Sequence, residues 1–415
     1  MNPRARRALL IFIFVCFIIP LCQGQKIKVL LTGQVDVQTN PLIMWFSQEP
    51  SVDATAVPTR SNDLVLVKDI KRFVRLYFPR TYDRLKEYEF IILHSPEMFH
   101  LTGEQDRWMH DAIQEGAGAL AAPAGLSDHG DIQHAWINSI VYQALPNDFS
   151  AVLASGGRRG QTPFHIEVNR NFPEPVLTPF VPLGIEEFPG AGGNMIIGKE
   201  GSSTLAWQIG EALGRVPYMI AWDYGEGRGM TLGDSLHLTF WSDYISLRNP
   251  AYEATQNPYG LDILMNMVLY LTGRRVPEDV LAVHKIRSLF IEYRIKMSLL
   301  ISLSDFAQKF GADSGQLADI LHPLDERGEE AEDRYLEQNF EECEEILNSL
   351  FEDITRAETR FVKIKEMALL WVYAVEWLVT MATAMLSGFV LWTVMIRRKL
   401  YREVGTTQLE RSRDS

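Results

Sequence analysis

The stretch that decides the fold runs from Tyr88 to Ala122 and reads YEFIILHSPEMFHLTGEQDRWMHDAIQEGAGALAA. Its two ends, 88–94 and 119–122, are short apolar runs of the kind that form buried strands. Between them Thr102 and Gln105 have the spacing of a capping box, and apolar residues follow at helical intervals. Strand, helix and strand in this order predict an α/β domain with a mostly parallel sheet.

Further apolar segments extend this pattern over residues 25–275. Lys26–Gly33 (KIKVLLTG) predicts a first buried strand, and 193–198 and 216–223 predict later ones. We expect 203–212 to be a helix and 259–272 to be the apolar helix that closes the domain. The fold class is therefore α/β, with a doubly wound, flavodoxin-like sheet.

The C-terminal region contains an almost wholly apolar run from Met367 to Ile396, followed at once by Arg397, Arg398 and Lys399. About 20 apolar residues cross a bilayer, and basic residues mark the cytoplasmic side. We therefore predict one transmembrane helix over 367–396, a cytoplasmic tail over 397–415, and an extracytoplasmic N-terminal domain in the cell membrane.

The first 24 residues have the pattern of a signal peptide. Three arginines precede an apolar stretch at 9–21, and Cys22-Gln23-Gly24 provides a cleavage site. Two alternatives are an uncleaved anchor and lipid attachment at Cys22, although the preceding Leu21 is larger than lipid attachment normally accepts.

The charge argues against one class of function, and the cysteine content argues against disulfides. The net charge is −13, and segment 323–361 alone has 14 acidic against four basic residues. An acidic chain without a basic stripe is not expected to bind nucleic acid. Once a signal peptide is removed, Cys343 is the only thiol, so no internal disulfide can form.

The segment between the domain and the membrane is predicted to be helical. A first helical region spans 276–327, and an acidic heptad helix, the stalk, spans 328–366. Its apolar seam consists of Leu336, Phe340, Cys343, Leu347, Leu350, Ile354, Ala357, Phe361 and Ile364.

This seam must be buried, and two partners are possible. A second copy would make a parallel coiled-coil homodimer, in which two Cys343 thiols face each other. Alternatively the seam packs against 277–302 as an antiparallel hairpin, and the thiol is a small core residue. Glu376 lies inside the predicted span and indicates contact with another membrane protein or a shallow position near the outer interface.

The globular part resembles the class I glutamine amidotransferase-like family, and within it an uncharacterised branch. The residues that carry the resemblance are Phe78-Pro79-Arg80, Tyr88–Leu93, Leu101-Thr102 with Glu104-Gln105, Gly116–Gly118, Trp136, Leu145-Pro146, Tyr218–Gly229, Trp241, Asn257–Gly260 and Gly273.

The family's nucleophile is a cysteine on the turn after a strand, and the resemblance places that turn after 119–122. Pro123, Ala124 and Gly125 occupy it here, so glutaminase activity is not expected. His165 and Glu167 have the spacing of the family's base and acid, but they come too early in the domain; a surface strand is the better interpretation.

A loop rich in acid and imidazole groups follows this turn. Asp128, His129, Asp131 and His134 are candidates for acid–base chemistry or, for the last three, for a metal site. His94 and Glu97 follow the preceding strand and would lie on the same edge. The alternative is an ordinary solvated loop. The glycines of 190–201 do not match a phosphate-binding loop, and no cofactor is predicted.

These observations leave two hypotheses for function. The favoured one is a non-catalytic domain, displayed outside the cytoplasm, that binds a ligand or protein. The alternative is an extracytoplasmic hydrolase that uses the Asp/His loop, with or without a metal. The fold alone does not choose between them.

Overall fold

The computed structural model describes residues 24–35, 41–61, 65–122, 130–154, 160–190, 192–236, 240–241, 257–309 and 314–411. The chain forms two compact units. The first is Met1–Glu292 with Glu330–Leu347, and the second is Tyr293–Glu329 with Asn348–Ser415. The first unit thus continues past residue 275, the predicted end of the α/β domain.

Ten strands are formed by the described residues: β1 (Ile27–Gly33), β2 (Val52–Pro58), β3 (Phe90–His94), β4 (Gly118–Ala122), β5 (Gly160–Gln161), β6 (His165–Val168), β7 (Gly193–Asn194), β8 (Ser203–Gly210), β9 (Gly214–Tyr224) and β10 (Gly227–Leu232). Eight of them form one sheet in the order β2-β1-β3-β4-β10-β9-β8-β6, and β5 pairs with β7. The first five strands in this sheet order, from β2 to β10, are parallel. The remaining three, β9, β8 and β6, continue the sheet with antiparallel pairing. The prediction of a mostly parallel α/β sheet is confirmed.

Helices cover both faces of the parallel strands. The described helices of this part are α1 (Pro41–Gln48), α2 (Val67–Tyr77), α3 (Tyr82–Leu85), α4 (Gly103–Gln114), α5 (Gly130–Ile137), α6 (Phe149–Ala154) and α7 (Gly260–Leu271), with 3₁₀ turns at Met98–His100, Val141–Ala144, Thr178–Leu183 and Ile185–Glu187. Alternate residues of β3 enter different cores: Ile92 packs in the core that α1 and α7 cover, and Ile91 in the core that α2 and α4 cover. Burial on both faces explains the continuous apolar runs.

Local signals at helix α4 behave as predicted. The Thr102 hydroxyl accepts from the Gln105 N–H at 3.2 Å, and the Gln105 side chain accepts from the Thr102 N–H at 2.9 Å. This reciprocal capping box fixes where the helix begins.

The prediction of a helix over 203–212 is wrong, because these residues form β8. The strand pairs antiparallel with β6 on one side and β9 on the other. Ladder hydrogen bonds on both sides outweigh a weak local preference. Gly214, in the left-handed region at φ 67°, ends the turn that leads into β9.

Three long helices follow: α8 (Val280–Lys309), α9 (Ser314–Leu336) and α10 (Phe340–Arg411). The predicted single helix over 328–366 is therefore wrong, because the chain breaks between α9 and α10. Gln338 has a φ of 59°, and the side-chain oxygen of Asn339 accepts from the Glu342 N–H at 3.4 Å. The apolar seam keeps its spacing across this break, which is why periodicity alone did not reveal it.

In the second unit the helices run up, down and up. Lys296 lies over the Phe351 ring and Lys365 over the Phe306 ring, so α10 is parallel to α8. The Tyr293 hydroxyl donates to the Leu324 carbonyl at 3.3 Å, and the Phe290 ring packs on the Tyr335 ring. A lower position in α8 thus meets a higher one in α9, so α9 runs antiparallel to α8. The seam residues from Cys343 to Phe361 are buried within the single chain, as the hairpin alternative supposed, but α10 is not antiparallel to α8.

Candidate functional site

The carboxyl ends of the parallel strands define the candidate site. Strands β1, β3, β4 and β10 end on one edge, where open α/β sheets bind their ligands. The described residues here come from the turns after β1, β2, β3 and β10. Residues 123–129, which include the predicted nucleophile turn, Asp128 and His129, lie outside the described residues.

The turns after β1 and β3 are in close contact. Gly33 has a φ of 110°, and a Cβ on it would lie 1.9 Å from the His94 carbonyl oxygen. The Gln34 N–H donates to that carbonyl at 2.8 Å, and Nδ1 of His94 lies 3.0 Å from the Gln34 carbonyl oxygen. The His94 ring is fully buried, and its contact with the Gln34 carbonyl fixes its orientation.

An ionic cluster lies a few residues beyond His94. Oε2 of Glu97 is 3.2 Å from Nε2 of His100, and Oε1 of Glu97 is 4.0 Å from Nε of Arg60. Burial lowers the pKa of His100, and this effect exceeds the opposing effect of the Glu97 carboxylate. At neutral pH, therefore, Arg60 is the cation that balances Glu97.

Ser95 has an unusual backbone conformation at the same edge. Its φ is 49°, in the left-handed region that residues other than glycine seldom adopt. Its N–H donates to the Ala122 carbonyl at 2.9 Å, which turns the chain across the end of β4. Such conformations concentrate at functional sites, and this one strengthens the case for the edge.

Asp131 and His134 are exposed on α5, which packs against the 3₁₀ turn Met98–His100. His94 and Glu97, in contrast, are buried. The structure thus brings two of the six predicted residues to the strand-end edge and leaves two facing solvent. Within the described part of the chain, no group of three His, Cys, Asp or Glu side chains is placed to hold a metal ion.

Asp234 is a further polar residue at this edge, and the sequence interpretation missed it. It follows β10, is fully buried, and accepts at Oδ1 from the Ser235 N–H at 2.6 Å. The Tyr218 hydroxyl lies 3.5 Å from its Oδ2. Burial raises the pKa of Asp234 well above its usual range, which favours the neutral acid. No apolar run marked its position, because the preceding strand β10 reads GRGMTL.

Three other polar residues, two of them predicted, lie on the surface or make structural contacts. His165 is exposed and Glu167 half-buried on edge strand β6, where Glu167 pairs with Arg215 at 3.0 Å, as the surface-strand interpretation requires. Lys199 donates to the carbonyls of Tyr142 and Leu145 at 2.9 and 2.7 Å, so its ammonium group caps a 3₁₀ turn.

Cys343 and Glu376 have contrasting environments in α10. The Cys343 thiol is fully buried and donates to the Ala331 carbonyl at 3.3 Å; burial raises its pKa to about 12, so it is an unreactive core thiol. Glu376 is exposed in the apolar part of the helix. That part belongs to a helix that is long and apolar enough to cross a membrane.

Comparisons with known proteins give little further information. No family profile and no curated protein matches the chain. Two solved structures, cytoplasmic protein STM3548 from Salmonella typhimurium and cytoplasmic protein STM1381 from Salmonella typhimurium LT2, are 14% and 16% identical, with TM-scores of 0.43 and 0.42. Each aligns with 59% of this chain and 99% of its own.

A β-galactosidase from Bacillus circulans sp. alkalophilus is 8% identical over 61% of this chain and 32% of its own, with a TM-score of 0.34. Likeness at this level carries no argument about function. The resemblance to the amidotransferase-like family therefore stays a prediction.

Proposed function

We propose that this chain is a single-pass membrane protein whose amidotransferase-like α/β domain, held outside the cytoplasm, binds a ligand or protein without catalysing a reaction. The observation that carries the proposal is the surface of α10 between Met367 and Ile396. Large apolar side chains point outward on every side of the helix there, among them Trp371, Trp377, Leu386 and Trp392. A helix that is apolar all round requires an apolar solvent.

The orientation follows from the charges that flank this segment. Arg397, Arg398 and Lys399 come directly after it, and basic residues are retained on the cytoplasmic side. The N-terminal residues, read as a signal peptide, favour the same topology.

The binding role rests on the strand-end edge. Arg60 and Glu97 form an ion pair there beside neutral His100, and the neutral acid Asp234 lies at the end of a nearby strand. These groups suit recognition by hydrogen bonds and charge. The sequence has no cysteine between Cys22 and Cys343, so the nucleophile of the resembled family is absent.

Site-specific labelling tests the topology. Two variants of the full chain, Glu226→Cys in the exposed β9–β10 turn and Thr407→Cys in the tail, are treated in intact spheroplasts with a maleimide that does not cross membranes. We expect labelling of Glu226→Cys at once and of Thr407→Cys only after permeabilisation. The reverse pattern would place the domain in the cytoplasm and overturn the proposal.

A second assay tests the absence of catalysis. Purified full-length protein in nanodiscs is incubated with glutamine, and ammonia release is measured beside empty nanodiscs. We expect no release above the blank. Release that disappears in a His94→Ala variant would show a working hydrolytic site and contradict the non-catalytic role.

A further inference from the structure

A cavity lies in the first unit between helices α1, α7 and α8, apart from the strand-end edge. Its volume is about 230 Å³. Met44 and Trp45 of α1, Leu261 of α7 and Ile291 of α8 provide its apolar walls. The lining of apolar walls with a few polar groups is typical of a small-molecule site, and the volume, below the roughly 300–1,000 Å³ of sites for drug-sized molecules, limits the ligand to a small one.

The polar side of the cavity is an ionic network. Arg287 donates from Nε to Glu49 and from Nη1 to Asp262, both at 2.6 Å. The other oxygen of Asp262 lies 2.7 Å from Nδ1 of His284. Glu49, Asp262 and Arg287 are buried, whereas the side chain of His284 is 33% exposed. His284 is thus the member of the network that solvent and a ligand can reach.

Charge counting defines the protonation state of His284 that the network favours. Two carboxylates face one guanidinium, so the network is neutral only when His284 is protonated. The hydrogen bond to Asp262 raises the pKa of His284, which favours that state. With Nδ1 engaged by Asp262, the protonated ring has Nε2–H left to donate. The N-terminus of α7 also faces the cavity, which Gly260 and Leu261 line. Its cap residue Tyr259 makes no side-chain cap bond, so the helix N-terminus adds positive potential.

We propose that this cavity binds a small carboxylic acid with an apolar or aromatic body, whose carboxylate accepts a hydrogen bond from His284 while Trp45 packs against the body. This site is independent of the function proposed for the strand-end edge. The inference stands on the cavity, the Asp262–His284 pair and the apolar walls.

Phenylacetate is the probe that tests this proposal, with phenylacetamide as the uncharged control. Binding to the full chain in nanodiscs is measured by equilibrium dialysis, and empty nanodiscs correct for partition into lipid. We expect saturable one-to-one binding of phenylacetate and binding of the amide weaker by roughly tenfold, because a hydrogen bond to a charged group is the stronger one. Equal binding of the two, or no saturable binding of phenylacetate, would overturn the proposal.

Ser288→Phe fills the mouth of the cavity, because Ser288 is exposed and lines it. Ser302→Phe is the matched control: Ser302 is also exposed on α8, and both hydroxyls donate to the carbonyl four residues earlier, at 3.0 and 2.9 Å. We expect Ser288→Phe to lose phenylacetate binding and Ser302→Phe to retain it. Equal binding by both variants would contradict the assignment.

His284→Gln keeps a donor toward Asp262 but removes the charge, and it serves as an independent test if Ser288→Phe does not fold. We expect binding to weaken roughly tenfold. In the unaltered chain, affinity falls as the pH rises through the raised pKa of His284, because the ring then loses its proton. Asp262 on α7 and Arg287 on α8 are the charged groups that act on His284, and the Tyr259 ring lies 5.2 Å from its ring. Glu49 after α1 and Tyr335 on α9 act on Arg287. Unchanged affinity in the variant, or with pH, would exclude His284 as the ligand's donor.

Discussion

Leu93 in strand β3 is fully buried, whereas Leu386 in the last part of α10 is 66% exposed, although both lie in almost wholly apolar stretches. The strand is short and is flanked by helices from the same unit, which cover both of its faces. The helix segment is about 30 residues long, enough to cross a bilayer, and the chain does not cover it. Apolar composition alone therefore does not determine whether a segment is buried in protein. Its length and periodicity determine whether it packs in a protein core or lies in lipid.

Charged residues also have different surroundings in the two regions. In the first unit Arg287 is buried and contacts both Glu49 and Asp262, and His284 lies against the other oxygen of Asp262, so each buried charge has an opposite or titratable partner. In the apolar part of α10 Glu376 lies alone among apolar neighbours in sequence. A buried charge in protein is stabilised by its partners, whereas a charge in lipid must find a partner or an interface.

The largest effect is expected from placing charge in the exposed apolar segment. Met381→Arg combined with Leu386→Arg should make membrane insertion less favourable by about 5–7 kcal/mol, at about 2.5–3.5 kcal/mol for each arginine. Alkaline carbonate extraction then finds the variant in the soluble fraction. Glu341→Arg with Glu345→Arg, on the exposed face near the start of α10, is the control and stays in the membrane fraction. Retention of the first variant would show that this segment is not the anchor.

Breaking the buried ionic network should have the next largest effect. Arg287→Met leaves two carboxylates buried without their cation, and we expect the free energy of unfolding to fall by about 3–5 kcal/mol. Arg215→Met, which removes an exposed pair with Glu167, should cost no more than about 1 kcal/mol. Urea denaturation of both variants, followed by tryptophan fluorescence, measures the difference. Equal losses would contradict the burial of the network.

Truncating one leucine in each region compares them directly. Leu93→Ala opens a cavity in the sheet and should lower the free energy of unfolding of the α/β domain by about 2–5 kcal/mol. Leu386→Ala should leave that value unchanged, because the side chain has no part in the domain core. The same denaturation assay serves both variants, and a loss in Leu386→Ala would show that the helix is packed against protein.

The smallest effect concerns pH. The pKa of His284 is raised in the folded state, first by its hydrogen bond with Asp262. The stabilisation that this gives is complete below the unfolded-state value of about 6.5 and is lost as the pH rises through the higher folded-state value. We expect the urea midpoint of the unaltered chain to decline over that range, and His284→Gln to decline less. A midpoint that rises with pH in this window would contradict the sign.

Hydrophobic periodicity predicted the elements whose own residues show which faces are buried. It failed for elements whose secondary structure depends on pairing with other segments of the chain. Buried strands such as Phe90–His94 were visible because both faces are apolar. Strand β8 was not, because its pairing partners β6 and β9 are what make it a strand. The break at Gln338 was hidden because the seam keeps its phase.

For the candidate site, the sequence indicated the strand-end edge, and the structure places only some of the predicted residues there. His94 and Glu97 follow a recognisable strand, so their position at the strand-end edge was predictable. Asp234 and the network around Arg287 join residues that are far apart in sequence, and no local motif announces such pairs. Arg287 contacts Glu49 across 238 positions of the chain.

Spin-label accessibility tests the central contrast most directly. Leu386→Cys and Glu352→Cys, each in a Cys343→Ser background, are labelled in the full chain reconstituted in lipid vesicles. Collisions with oxygen, which concentrates in lipid, are compared with collisions with a water-soluble nickel complex. The account predicts that the label at 386 meets oxygen and not nickel, and that the label at 352 meets nickel. Equal access of nickel to both positions would contradict a helix whose C-terminal part lies in the membrane.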